Sequence, residues 1–334
     1  MIVMLPLFNI KMPGNARDFF VQIMTIAAFD YYDFSNRIHA LFQVPRTKPI
    51  NDDFEALGFE SEYLIVNMGS LIVPWLLHAV LIIVLILISC CQCRSERARR
   101  LHQKIYRFLF WGFNITLVNE SFMIVIVCLL INVKHLSFAT PGLTAMSITC
   151  LIFFGLYTIV PAIFILRTCT NHSALTDGKL KLEDPKWMSM YGAYYEDLHI
   201  RAGRYVFFHP SFFLLRRLLI AVAVSLVGDV FIYQFLIFTA QIIVQVIIIG
   251  SGVFPAGTTR SRYFNESIMM LSIYTFMPYT PWVSDAQTRF LVGYESIFFI
   301  VLHILVNLGP ISIETLKMTF KKIRTKFAIR KFKG

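Results

Sequence analysis

Apolar positions in this chain run on for whole helical lengths rather than alternating. Leu64 to Ser89 holds no charged residue, which suits a helix crossing roughly 20 residues of hydrocarbon. Further stretches follow at Leu143–Leu166, Phe212–Val227, Val230–Phe254, Ser267–Val283 and Phe290–Ile313. One more is cleanly apolar only over Phe122–Val133 and must reach back across Asn119, Glu120 and Ser121 to span. Seven spans are therefore expected. Pro74 predicts a kink in the first, and Gly228 and Asp229 predict a tight hairpin between the fourth and fifth. Pro278 and Pro281 break the sixth.

Residues 1–62 read differently. Phe19, Phe20, Ile23, Ile26 and Ala27 recur at helical spacing among Arg17, Asp18, Gln22, Asp30 and Asp33. That pattern predicts an amphipathic helix over 15–34, lying at the membrane surface with its Phe and Ile face buried. Val44-Pro45 through Glu62 reads as a polar loop. The expected layout is an extracytosolic region over 1–62, a seven-helix bundle over 63–313 and a basic tail over 314–334. The fold class is an all-α, multi-pass transmembrane bundle.

Charge orients the bundle. The chain carries a net charge of +11, and its 31 Lys and Arg are unevenly placed. Six fall in the loop Arg94–Arg107, eight between Arg167 and Arg217, two at Arg260 and Arg262, and eight from Lys317 to Lys333, leaving seven of the 31 for the other side. The excess of positive charge marks cytosolic segments, so the N-terminus is expected outside and the C-terminus in the cytosol. The sequons at Asn114, Asn171 and Asn265 then face inward and should be silent. Only 15% of residues are charged, against roughly a quarter in soluble domains. The basic groups flank apolar spans, the placement expected for anionic lipid at the cytosolic loops and tail, and they argue against nucleic acid. The expected partner is the bilayer itself.

The six cysteines make neither a disulfide framework nor a zinc spacing. Cys90, Cys91 and Cys93 sit where the first span enters the cytosol, as palmitoylation candidates or as free thiols. Residues Met1–Ile10 lack the positive n-region of a signal peptide.

The run Tyr191-Gly192-Ala193-Tyr194-Tyr195-Glu196-Asp197-Leu198 leads through basic residues to Phe213-Leu214-Leu215-Arg216-Arg217-Leu218. With Met12-Pro13-Gly14-Asn15-Ala16, Ile26-Ala27-Ala28-Phe29-Asp30, Asn67-Met68-Gly69-Ser70 and Asn265-Glu266, it resembles the C-terminal membrane domain of large ciliate surface proteins described as TRP-like. The resemblance implies a seven-helix domain of a plasma or ciliary membrane. It also implies a cation channel or channel-like subunit, assembled as a homo-oligomer. Such proteins carry a Cys-rich ectodomain ahead of this region, and this chain begins near the linker to it.

Ionisable and amide groups within spans are costly in lipid and become site candidates. Gln234, Gln241 and Gln245 fall within about 40° of one another on a helix, forming one polar stripe. The stripe either lines a wet ion path or hydrogen-bonds neighbouring helices, and the second reading is favoured. Glu120 and Glu295 lie near helix ends, where headgroups reach them. His303 and Asn307 share a face one turn apart, as an ion or proton path or as structural groups, again with the structural reading favoured. Arg216 and Arg217 are adjacent rather than spaced by three, which rejects a voltage sensor. They suit a structural elbow that docks Glu196 or Asp197. Val292-Gly293-Tyr294 lacks the pore helix a potassium filter needs. No nucleotide loop, metal motif or nucleophile–base pair appears, and neither an enzyme nor a cofactor is expected. A seven-helix receptor and a non-conducting membrane anchor remain the alternatives to the channel.

Overall fold

A computed structural model describes the chain except residues 1, 9, 29–33, 46, 48–53, 56–58, 60, 92–95, 177–194, 196–197, 199–205, 207, 228–229 and 334. Among the described residues the regular structure is all helical. Two compact units arise. The first is built from residues 3–9 and 20–263, the second from 10–19 and 264–334.

Among the described residues, six helices are long and apolar enough to cross a membrane: Ile72–Ser89, Asn114–Val133, Pro141–Ile163, His209–Leu226, Phe231–Gly250 and Ala286–Gly309. The chain is thus a helical protein suited to a membrane. Leading into these are α1 (Gly14–Ala28), α2 (Phe34–Phe42) and the short α3 (Leu64–Met68). In α1 the buried positions are Ala16, Phe20 and Met24, spaced by four, whereas Ile26 is 64% exposed. The expected buried face is therefore rotated. Phe19 and Ile23 lie at its margin, and Ile26 is outside it.

The first expected span is also subdivided. Gly69 adopts φ 49°, and its N–H bonds to the Val66 carbonyl, which ends α3. A 3-10 turn over Gly69–Leu71 follows, and α4 (Ile72–Cys91) starts afresh. A positive φ at this point suits glycine, which has no Cβ to clash. Pro74 falls in the first turn of α4, where a missing N–H breaks no helical bond, so it starts the helix instead of kinking it. Buried α3 packs against α2 and joins Ile38, Val44, Tyr63, Val66 and Met146 in one apolar cluster, while the lipid-type side chains Leu76, Val80, Ile83 and Leu87 of α4 stay exposed. Within the expected polar loop, Phe54 and Phe59 are buried with their rings 5.6 Å apart.

A basic helix, α5 (Glu96–Arg107), passes through a π-helical stretch, Phe108–Phe113, into α6 (Asn114–Val133). This supplies the backward extension the second span required. Around α6 the first unit is built: it packs against α7 (Pro141–Thr176) and, more extensively, against α8 (His209–Leu226). Pro210 at the start of α8 again occupies a first-turn position. From α8 the chain returns as α9 (Phe231–Gly250). At the entry to α7, Gly142 admits the Phe42 backbone so closely that a Cβ would meet the carbonyl group of that residue.

The second unit holds α11 (Ala286–Lys333), a continuous helix running through the expected basic tail. The segment expected as a sixth span is α10 (Ala256–Tyr274) followed by a 3-10 turn at Met277–Tyr279. Because α10 carries Arg260, Arg262 and Glu266, it is less apolar than the six helices above. Gly293 lies against Asn15, whose side-chain N–H₂ donates to the Phe290 carbonyl at 2.9 Å. That close approach gives Gly293 a packing reason within Val292-Gly293-Tyr294.

Candidate functional site: polar groups inside the helical hairpins

The glutamine stripe of α9 points into protein. Gln234, Gln241 and Gln245 are all buried, on a face completed by Phe231, Phe235, Phe238, Ile242 and Ile249. Leu236, Ile243 and Ile247 occupy the exposed side. Gln234 donates to the Ala223 carbonyl of α8 at 3.2 Å, an interhelical hydrogen bond of the kind that joins helices in lipid. Both ends of the Gln241 amide, by contrast, lack a hydrogen-bonding protein partner. Phe8 packs edge-on against Phe231 and Phe238, at 6.2 and 5.6 Å, covering this face near the start of α9.

The Gln234–Ala223 bond also sets the register of the α8–α9 hairpin. Antiparallel helices rise equally per residue, so seven residues further along α9 and seven back along α8 stay level. Gln241 therefore lies at the depth of Arg216. Arg216 is 4% exposed, a buried cation in a membrane-type helix and costly there without compensation. Its neighbour Arg217 turns the other way. It donates to the Asn119 carbonyl of α6 and stacks over the Phe213 ring at 4.1 Å. The charge of Glu120 also bears on it. The elbow expected from Glu196 and Asp197 falls on residues outside the described set; the described hydrogen-bond partner of Arg217 is the Asn119 carbonyl of α6. Sequence reasoning missed this contact because nothing in the local spacing links position 217 to position 119.

In the second unit, α10 and α11 run antiparallel with polar groups along their seam. Asn265 and Asn307 exchange two side-chain hydrogen bonds, each 2.9 Å, and Asn307 also donates to the His303 carbonyl at 2.7 Å. Three turns along, Thr275 and Ser296 hydroxyls meet at 2.7 Å, and the Tyr279 hydroxyl reaches Ser296 at 2.6 Å. Between these two groups lie Ser272, bonded to the Ile268 carbonyl, and His303, whose Nδ1 is buried without a hydrogen-bond partner. The two contacts keep the same register: 265 with 307, then 275 with 296. From Ser296 to Asn307 the shared depth is about 16 Å, at 1.5 Å per residue. Arg289 closes the turn by donating to the Val283 and Thr280 carbonyls at 2.6 and 3.3 Å.

His303 and Asn307 are thus brought together with Asn265, and at a distance along the seam with Thr275, Ser296 and Tyr279. Those hydroxyls carry no sequence signal alone. Only the near-constant register of paired positions in an antiparallel hairpin picks them out. Glu120 and Glu295 are exposed. Cys90 and Cys91 end the backbone of α4, and Cys93 is outside the described residues. Cys128 and Cys150 are buried free thiols. Among the described residues, no three His, Cys, Asp or Glu side chains converge as a metal site.

Comparison of the chain with protein-family models, curated proteins and solved structures finds no match.

Proposed function

We propose that this chain is a seven-span integral membrane protein, N-terminus outside and C-terminus in the cytosol, serving as a channel-like subunit for small cations or protons. The α10–α11 hairpin supports the seventh span. If Ala286–Gly309 crosses the bilayer, the residues level with it from Asn265 to Val283 cross beside it, whatever their hydropathy. The uneven division of Lys and Arg supports the orientation. The engaged amide of Asn265 is in keeping with a silent sequon. Impermeant thiol reagents should label a cysteine placed at Ser137 in intact cells and spare one at Ser261; the reverse pattern refutes the topology.

The observation that carries the channel-like reading is the seam itself. Asn265, Asn307, His303, Ser272, Thr275, Ser296 and Tyr279 put polar atoms on one line through a membrane-type hairpin, where such groups are expensive and mark pathways. The resemblance of the sequence to the ciliate membrane domains supports a membrane of the plasma or ciliary type and assembly as a homo-oligomer. A second reading, a non-conducting anchor, is favoured by the glutamines of α9, which turn toward their own chain. Reconstitution of the purified chain in planar bilayers separates the two. A channel passes cation or proton current that Asn307→Leu changes. Absence of current from the wild-type chain under voltage, pH and osmotic steps leaves the anchor.

A further inference from the structure

Two thiols of the first unit fall opposite one another in the α6–α7 hairpin. Ser121 of α6 and Tyr157 of α7 share a hydrogen bond between their hydroxyl groups, so positions 121 and 157 lie level across the interface. Antiparallel helices stay level when one advances as far as the other retreats. Seven residues on from Ser121 is Cys128, and seven back from Tyr157 is Cys150. A step of seven returns to within about 20° of the same helix face. Both thiols therefore lie on the facing surfaces, at one depth. They are free and fully buried, at 0% exposure each. The Cys150 thiol bears electrostatically on Cys128, and Cys128 on Tyr157, which places Cys128 on the α7 side of its helix. The two helices pack together. Packed helices lie about 8–10 Å apart, with Cα atoms about 2.3 Å from each axis. Facing Cα atoms are then roughly 3.5–5.5 Å apart, overlapping the roughly 4.4–6.8 Å that a disulfide spans.

We propose that Cys128 and Cys150 are a paired oxidation site, joined as an inter-helix disulfide by a small neutral peroxide, and that the structure shows its reduced form. Two thiols and one hydrogen peroxide give one S–S bond and two molecules of water. Each sulfur loses one electron and one proton, and the O–O bond is cleaved as the peroxide is reduced. The surroundings favour this product over the other chemistries of a thiol pair. A lone thiolate leaves a charge among the buried apolar side chains of α6, such as Val125, Val127 and Leu129. Among the described residues, no third His, Cys, Asp or Glu side chain completes a metal site. A disulfide is neutral and needs no further partner. It closes residues 128–150 into a covalent loop, so α6 and α7 can no longer part. The chemistry holds in either membrane orientation.

The test uses the full chain in phosphatidylcholine nanodiscs carrying Cys90→Ser, Cys91→Ser, Cys93→Ser and Cys169→Ser, so that only the pair can react. Hydrogen peroxide should leave a single chain lighter by two hydrogen atoms, with no thiol open to maleimide after unfolding. Proteolysis should then give one fragment that joins Cys128 to Cys150, and a phosphine should restore both thiols. Adding Cys128→Ser should leave Cys150 unlinked. Cys150→Ser with Leu151→Cys moves the thiol about 100° round α7, onto a side where Leu151 is 48% exposed, and should not link. If the serine background does not fold, the joined fragment is sought by mass spectrometry in the oxidised wild-type chain. Two free thiols after prolonged oxidation overturn the proposal. So does linkage from position 151 as complete as from position 150, or linkage between chains in place of linkage within one.

Discussion

Replacing Asn307 by leucine should destabilise the α10–α11 hairpin more than removing both members of the amide pair would suggest. Asn307 gives one 2.9 Å hydrogen bond to Asn265 and accepts another of the same length. Side-chain bonds between helices in a bilayer contribute about 0.6–2 kcal/mol each. Asn307→Leu removes both, together with the bond to the His303 carbonyl, and strands the half-buried Asn265 amide, for a total of about 1–4 kcal/mol. Asn265→Leu should cost a similar amount. The double variant, with no amide left unpaired, should cost clearly less than the two single changes added, leaving a coupling of about 1 kcal/mol or more. Equilibrium unfolding in mixed lipid–detergent micelles measures all four forms. Strict additivity, or an Asn265→Leu variant as stable as wild type, would refute the pair. It would also remove the register argument that places 265–283 beside the last span.

Gly142→Ala should destabilise the first unit by about 1–3 kcal/mol, because its Cβ would meet the rigid Phe42 backbone; an unchanged melting temperature contradicts this. On α9, Gln234→Leu should cost about 0.6–2 kcal/mol for the lost bond to Ala223. Gln241→Leu should be neutral or stabilising, since that amide has no hydrogen-bonding protein partner. The opposite ranking in the same unfolding assay would show that the stripe meets water. Asp285 accepts hydrogen bonds from the Thr288 side chain and from the backbone N–H groups of Thr288 and Gln287, which hold its carboxyl below the ordinary value of 3.8. A depressed carboxylate stabilises the start of α11 at pH values above 3.8, and that contribution is lost as pH falls through the lower folded-state value. Carbon-detected NMR titration should place the Asp285 midpoint below 3.8, and Asp285→Asn should speed amide exchange at Thr288.

Sequence alone determined that this chain suits a membrane and is helical, because hydrocarbon demands about 20 apolar residues per crossing and leaves no partner for an unpaired backbone. It also placed the glutamines on one stripe, since a helix fixes angular position by residue number. Tertiary structure decided which way that stripe faces: Gln234 is turned toward Ala223, while the equally apolar-flanked Ile243 and Ile247 are exposed. It decided that Gly69 would break the first span and that Pro74 would merely start its helix. It also joined Asn265 to Asn307, Thr275 to Ser296 and Arg217 to Asn119. Those pairings are separated by 42, 21 and 98 residues. No periodicity within one helix encodes them, because they depend on the register at which two helices meet.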